Sequence, residues 1–169
     1  LLAETLAPGR VDVGDADAAR LAGLVGRLPL AIELASRPLA AREDLAIAEH
    51  LSAVEEAVSS AGEPVAGAVS ASLGTLEEDA RRRFAELSLF GGPIEPSSAA
   101  SVWDLRNGAG TERAAALLER LRALGLLGWD TMSRRYAMHP AVRRCALREL
   151  GEPEKLLTLR YVIHATRTL

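Results

Sequence analysis

The chain has 169 residues, a formal net charge of −3 and a hydrophobic fraction of 49%. That is enough apolar material for one domain or two small ones, which excludes a disordered chain. The single cysteine, Cys145, excludes an internal disulfide framework and a multi-cysteine zinc site.

Alanine and leucine dominate the apolar fraction, and β-branched runs and aromatics are few, so helix is favoured over sheet. No apolar run is long enough to span a bilayer, and Leu1-Leu2-Ala3-Glu4 lacks both the basic start of a signal peptide and an initiator Met. The expectation is a cytoplasmic piece of a longer protein that makes no membrane contact.

Asp15 is placed to cap a helix running to about residue 27, with Leu21, Leu24, Val25 and Leu28 on one face. Gly26-Arg27-Leu28-Pro29 breaks that pattern. Pro29 suits the first turn of a second helix, where its missing N–H costs nothing, and that helix should end or kink near Pro38. A third helix is expected from Asp44 to about residue 58, followed by a loop over 59–64. Residues 64–73 predict a short helix of small side chains.

Thr75-Leu76-Glu77-Glu78 has the spacing of a capping box. The helix it would open turns Ala80, Phe84 and Leu87 inward and Arg81, Arg82 and Arg83 outward. Gly91-Gly92-Pro93 stops it. Ile94 is a candidate short strand, and a small helix follows over 96–104. After a loop over 106–110, Thr111 is read as the cap of an amphipathic helix with Leu117, Leu118, Leu121 and Leu124 on one face, ended by Gly125. Two short apolar runs, 126–129 and 135–138, predict a β-hairpin. Pro140 opens a further helix that Gly151 closes, and Pro153 starts the last one.

The predicted fold is mainly α: a helical-bundle domain over 1–63, then a winged-helix domain with one small β-hairpin over 64–151. Residues 152–169 begin a C-terminal helical region. No internal repeat is visible.

His139 precedes Pro140, so it is pushed toward extended geometry, at the end of a strand and just before a helix N-terminus. Such an end favours a phosphate, and an imidazole N–H adds a donor. The alternative is a histidine that bonds a backbone carbonyl of the hairpin. Pro29 and Gly26 likewise have local explanations as a helix start and a helix end. His50, His139 and His164 are too dispersed to suggest a metal site.

The G-x-x-x-x-G-K-[ST] loop is absent, and the only lysine, Lys155, lies at a helix start, so no catalytic residue is assigned. Cys145, Trp103 and Trp129 read as packing residues. Arg134, Arg135, Arg143, Arg144 and Arg148 crowd the wing and the helix after it. They suggest DNA contact, a solvated face or a docking surface. The net acidity, with Glu112 and Glu119 on the presumptive recognition helix, weighs against DNA.

Two stretches resemble known motifs. Leu24-Val25-Gly26-Arg27-Leu28-Pro29-Leu30-Ala31-Ile32-Glu33-Leu34-Ala35 is similar to the "GLPLAL" motif of the helical domain in STAND (NB-ARC-like) ATPases, with Arg27 as an extra residue. Arg135-Tyr136-Ala137-Met138-His139-Pro140 resembles the "MHD" region that ends the winged-helix domain of that family, with Pro140 in place of the Asp. The residues around Leu73 to Phe90 and Leu117 to Leu127 resemble the linker and the helix that precede the hairpin. The resemblance covers about residues 1–150.

It implies a regulatory segment that closes over ADP or ATP and couples the nucleotide state to conformational switching. Pro29 would line the adenine side and His139 would approach the β-phosphate. A P-loop domain earlier in the same chain would supply the phosphate cradle and Mg²⁺. The other implied partners are a downstream helical-repeat or sensor region and a second copy on activation. Bacterial relatives of this kind include transcriptional regulators and defence proteins. Two other readings stand beside it: a DNA-binding winged-helix regulator, and an interaction module without nucleotide control.

Overall fold

Leu21, Val25, Leu34, Leu39, Leu51 and Val54 are all buried, but of the face expected for the first helix Leu24 is half-buried and Leu28 exposed, because that helix ends at Leu24. The computed structural model describes residues 16–41, 45–105, 109–153 and 155–167. The cap expected at Asp15, the start of the third helix expected at Asp44 and residues 106–108 of the predicted loop lie outside the described residues. The described chain is mainly helical with one two-stranded antiparallel hairpin. Its contacts divide it into two compact units, one ending at Leu76 and also taking Ala123–Leu126, the other formed by the rest.

The first unit holds helices α1 (Ala16–Leu24), α2 (Pro29–Ala41), α3 (Ile47–Ala61) and α4 (Pro64–Gly74). Helix α1 ends in a Schellman turn: Arg27 N–H donates to the Ala22 carbonyl at 2.8 Å and Gly26 N–H to that of Gly23 at 3.0 Å. Gly26 has φ +65° and Arg27 φ +55°, so a glycine at the first position removes part of the cost of two successive left-handed residues. Helix α4 packs on α2 and α3 and buries eight of its residues, none larger than Leu73. Gly67 is what allows that approach: a Cβ there would lie 2.5 Å from Val58 Cα.

Helix α2 does not end at Pro38 but runs through it to Ala41. Proline removes the N–H that would serve the Leu34 carbonyl. In its place the Ser72 hydroxyl of α4, buried and 38 residues away, donates to that carbonyl at 3.1 Å. His50 Nε2 of α3, also buried, lies 2.6 Å from the next carbonyl, Ala35, and donates to it. Side chains from two neighbouring helices therefore satisfy the stretch of α2 that proline disturbs.

The predicted capping box is also replaced. Thr75 remains helical as the C-cap of α4, and its hydroxyl donates back to the Ser72 carbonyl at 2.7 Å. Helix α5 (Glu78–Glu86) starts later, after the extended Glu77, without a side-chain cap bond. Because α4 packs with α2 and α3, contacts change hands at Leu76–Glu77, thirteen residues beyond the boundary read from the sequence.

In the second unit α5 leads into a 3₁₀ turn (Leu87–Leu89), then α6 (Pro96–Val102), α7 (Gly110–Ala123), β1 (Gly128–Asp130), β2 (Arg135–Ala137), α8 (Pro140–Leu150) and α9 (Lys155–Arg167). The hairpin pairs Gly128 with Ala137, Trp129 with Tyr136 and Asp130 with Arg135. Ile94 adds a one-residue bridge to Tyr136, with N–H···O bonds of 2.7 and 3.0 Å in the two directions. Helix, bridge, two helices, hairpin and helix is the winged-helix order.

Phe84, Leu87, Ile94, Leu118, Leu121 and Val142 are fully buried here. Helix α7 starts one residue before the expected cap at Thr111, since Arg113 N–H already bonds the Ala109 carbonyl at 3.0 Å. Helix α9, expected to begin a separate region, packs on α6. Tyr161 meets Phe90 edge to face at 5.5 Å, and Arg160 bonds Asp104 at 2.9 Å.

Candidate functional site

Pro29 sits where the sequence places it, at the first residue of α2. The Schellman turn before it leaves Leu28 and Pro29 exposed side by side, Leu28 at 44%. An exposed leucine next to a rigid, N–H-free ring forms a small apolar ledge, suited to the face of a planar ring and unable to donate a hydrogen bond from the proline.

His139 sits in the second unit, between β2 and α8. Its backbone is extended (φ −60°, ψ 139°), as a residue before proline requires, and Pro140 takes the first helical position. The imidazole does not bond a hairpin carbonyl. Nδ1 accepts the N–H of Ala141 at 3.1 Å, so the ring is the N-cap of α8. The His139 carbonyl accepts the first helical bond, from Arg143 N–H at 2.9 Å.

Two of the donors expected at this helix end are thus accounted for: Pro140 has none, and the N–H of Ala141 is taken. What remains at the imidazole is Nε2–H on an exposed ring, fixed as the donor by the role of Nδ1. Pro29 and His139 belong to different units, and each is described in its own.

The arginines of the wing region separate into two groups. Arg135 pairs with Glu95 at 2.6 Å, Arg143 Nε donates to the Ser88 carbonyl at 2.8 Å, and Arg148 reaches Cys145 Sγ at 3.3 Å. Arg134 and Arg144 are exposed, as Arg135 and Arg148 also are, but make no side-chain bond among the described residues. On α7, Glu119 accepts from Tyr136 and, at 2.8 Å, from Arg122. The Tyr136 and Arg122 bonds hold the Glu119 carboxyl below its ordinary range. Burial, then the Glu119 carboxylate, pushes the Tyr136 phenol up to about 12.

The tyrosine is therefore a fixed donor at any working pH, and it ties the hairpin to the helix that would enter a DNA groove. At that point α7 presents the Glu119–Arg122 ion pair. Trp129 is 41% exposed and stands edge-on to Tyr136 at 4.8 Å, so it is only partly a packing residue. Cys145 is buried, as expected of a small core residue.

Arg83 departs from the expected outward face of α5. Its guanidinium lies 5.6 Å above the Trp103 ring, whose Nε1–H donates to the Arg83 carbonyl at 3.2 Å. Arg82 and Arg83 both hold Asp79 at 2.6 Å, and these bonds keep that carboxyl below its ordinary range. An arginine three or four residues from an Asp and near a Trp was the available signal. Which helix would bring the Trp was not encoded locally.

Among the described residues no group of three or more His, Cys, Asp or Glu side chains is placed to hold a metal. No helix among them is long and apolar enough to cross a membrane. No protein-family model matches the chain, and no curated protein matches it.

Proposed function

We propose that the chain is the helical and winged-helix segment of a STAND-type signalling ATPase, and that it closes over ADP or ATP bound to a P-loop domain of the same protein. The observation that carries this reading is the fixed Nε2–H of His139 at the start of α8. In the resembling motif an Asp follows the histidine. Here Pro140 follows, and the imidazole itself caps the helix. That cap commits Nδ1 and points the ring's chemistry to one task, donation from Nε2 to an anionic oxygen such as the β-phosphate. The ledge of Leu28 and Pro29 supports the companion role of an apolar contact to adenine.

The chain's own residues would bind and orient the nucleotide. Cleavage, where it occurs, would need the P-loop lysine and the Mg²⁺ held in that other domain. Loss of the phosphate contact would free the segment and pass the nucleotide state to a sensor or repeat region, or to a second copy.

The test is the nucleotide released by denaturation from the purified full-length protein, for wild type, His139→Asn and Pro29→Ala. Asparagine keeps a cap at this position and removes the imidazole. ADP retained by wild type and lost from His139→Asn is the expected result. No nucleotide in wild type removes the ATPase reading. Equal ADP in both leaves the ATPase reading and confines His139 to capping.

The exposed pair Arg134 and Arg144 favours a second reading, DNA binding by the wing. Retention on DNA that falls steeply with salt, and falls again in an Arg134→Ala, Arg144→Ala double variant, would establish it.

A further inference from the structure

In the second unit a cavity of about 420 Å³ opens between α5, the end of α8 and α9, bordered by Arg82, Glu86, Leu150, Pro153, Leu157 and Arg160. Its size is that of a small-ligand site. Its lining combines aliphatic side chains with both signs of charge. Arg160 is held in place by its bond to Asp104 and Arg82 by its bond to Asp79, so both guanidinium groups border the cavity in fixed positions.

Across α5, the half-buried Glu86 carboxyl is raised by burial, against the pull of Arg82, Arg83 and Arg160. Those guanidinium groups act on it through space and not by hydrogen bonds. Glu152 adds a second carboxylate at the rim. The cavity is thus bordered by two anchored guanidinium groups and by a glutamate carboxyl with no hydrogen bond among the described residues.

A simple anion would meet the arginines but be repelled by Glu86 and Glu152. A simple amine would meet the reverse. A molecule that carries both charges a few ångströms apart satisfies both groups, and the aliphatic side chains of Leu150, Pro153 and Leu157 accept an apolar tail. We propose that this cavity binds a free α-amino acid with an aliphatic side chain. Its carboxylate lies toward Arg160 and Arg82, its ammonium toward Glu86 and Glu152, and its side chain against Leu150, Pro153 and Leu157. The site is independent of the nucleotide reading and stands or falls without it.

The experiment is calorimetric titration of the 169-residue chain with L-leucine, 3-methylbutanoate and 3-methylbutylamine, the last two carrying one charge each. Saturable binding of L-leucine, at least about tenfold tighter than either single-charge probe, is expected from the loss of one charged hydrogen bond. Glu86→Gln should weaken L-leucine binding about tenfold or more while leaving the thermal midpoint equal or higher, because it removes a desolvated charge that bonds nothing. No saturable binding of L-leucine at millimolar concentration overturns the proposal. So does equal binding of 3-methylbutanoate, unchanged affinity in Glu86→Gln, or a lower midpoint in that variant, which would mean that the carboxylate is already partnered within the fold.

Discussion

Helix α4 of the first unit and helix α5 of the second are similar in length and opposite in construction. α4 buries eight of eleven residues, all small or aliphatic, and lets Gly67 approach the backbone of its neighbour. α5 buries three of nine, with Phe84 as the large one, and spends the rest of its surface on charge. A helix packed by close approach has no room to gain volume. A helix packed on one large ring cannot lose it. The two units should therefore fail in different ways.

The largest expected effect is Phe84→Ala, at about 3–5 kcal/mol, the range for truncating a fully buried aromatic. Hydrogen exchange should show the loss of protection in α5 and α8 and not in α4. Equal loss in both helices would erase the distinction between the units. Gly67→Ala is the converse experiment. The added methyl collides with Val58 backbone, which cannot swing away, so a loss of up to about 3 kcal/mol is expected despite alanine's better helix propensity. A neutral or stabilising result by urea unfolding would refute packing by close approach.

Ser72→Ala should cost about 1–2 kcal/mol by orphaning the Leu34 carbonyl. In a Pro38→Ala background that cost should shrink, because the substituted residue restores the N–H that the carbonyl lacks. A double-mutant cycle with no coupling would sever the two residues.

The smallest effect is the pH dependence of His50. Burial lowers its pKa, outweighing the bond to Ala35, so the unfolded chain takes up the proton more readily than the folded one. Stability from this group is then complete above the unfolded value, about 6.5, and declines as pH falls below it. Denaturant midpoints between about pH 7.5 and 5.5 should show that decline, and His50→Gln should flatten it.

Much of this was legible in the sequence. Gly26, Pro29, Ile94, the hairpin and the Pro140 helix start all follow from rules that act over a few residues. The same rules fail where a partner comes from far along the chain. Pro38 reads as an end or a kink because Ser72 is invisible to a local window. Thr75 has the spacing of a cap for the next helix but serves the end of its own. The boundary between units moved for the same reason, since α4's small residues say that it is buried but not by which helices.

At the candidate site, the X-Pro rule gave His139 its place before α8, but not which ring nitrogen is occupied. That depends on Ala141 lying within reach of Nδ1. The Glu86 cavity left no local trace, because its walls come from three helices.

The Ser72 bond also has a consequence for synthesis. A chain emerging from a ribosome exposes α2 before α3 and α4, and Leu34 must wait through 38 further residues for its hydroxyl partner, Ala35 through 15 for its imidazole. Until then the proline leaves that part of α2 to water. The first unit is thus poorly suited to assembly one helix at a time. It should mature in a single late step once α4 is available, and a nascent chain stalled before residue 72 should remain accessible to proteases around Pro38.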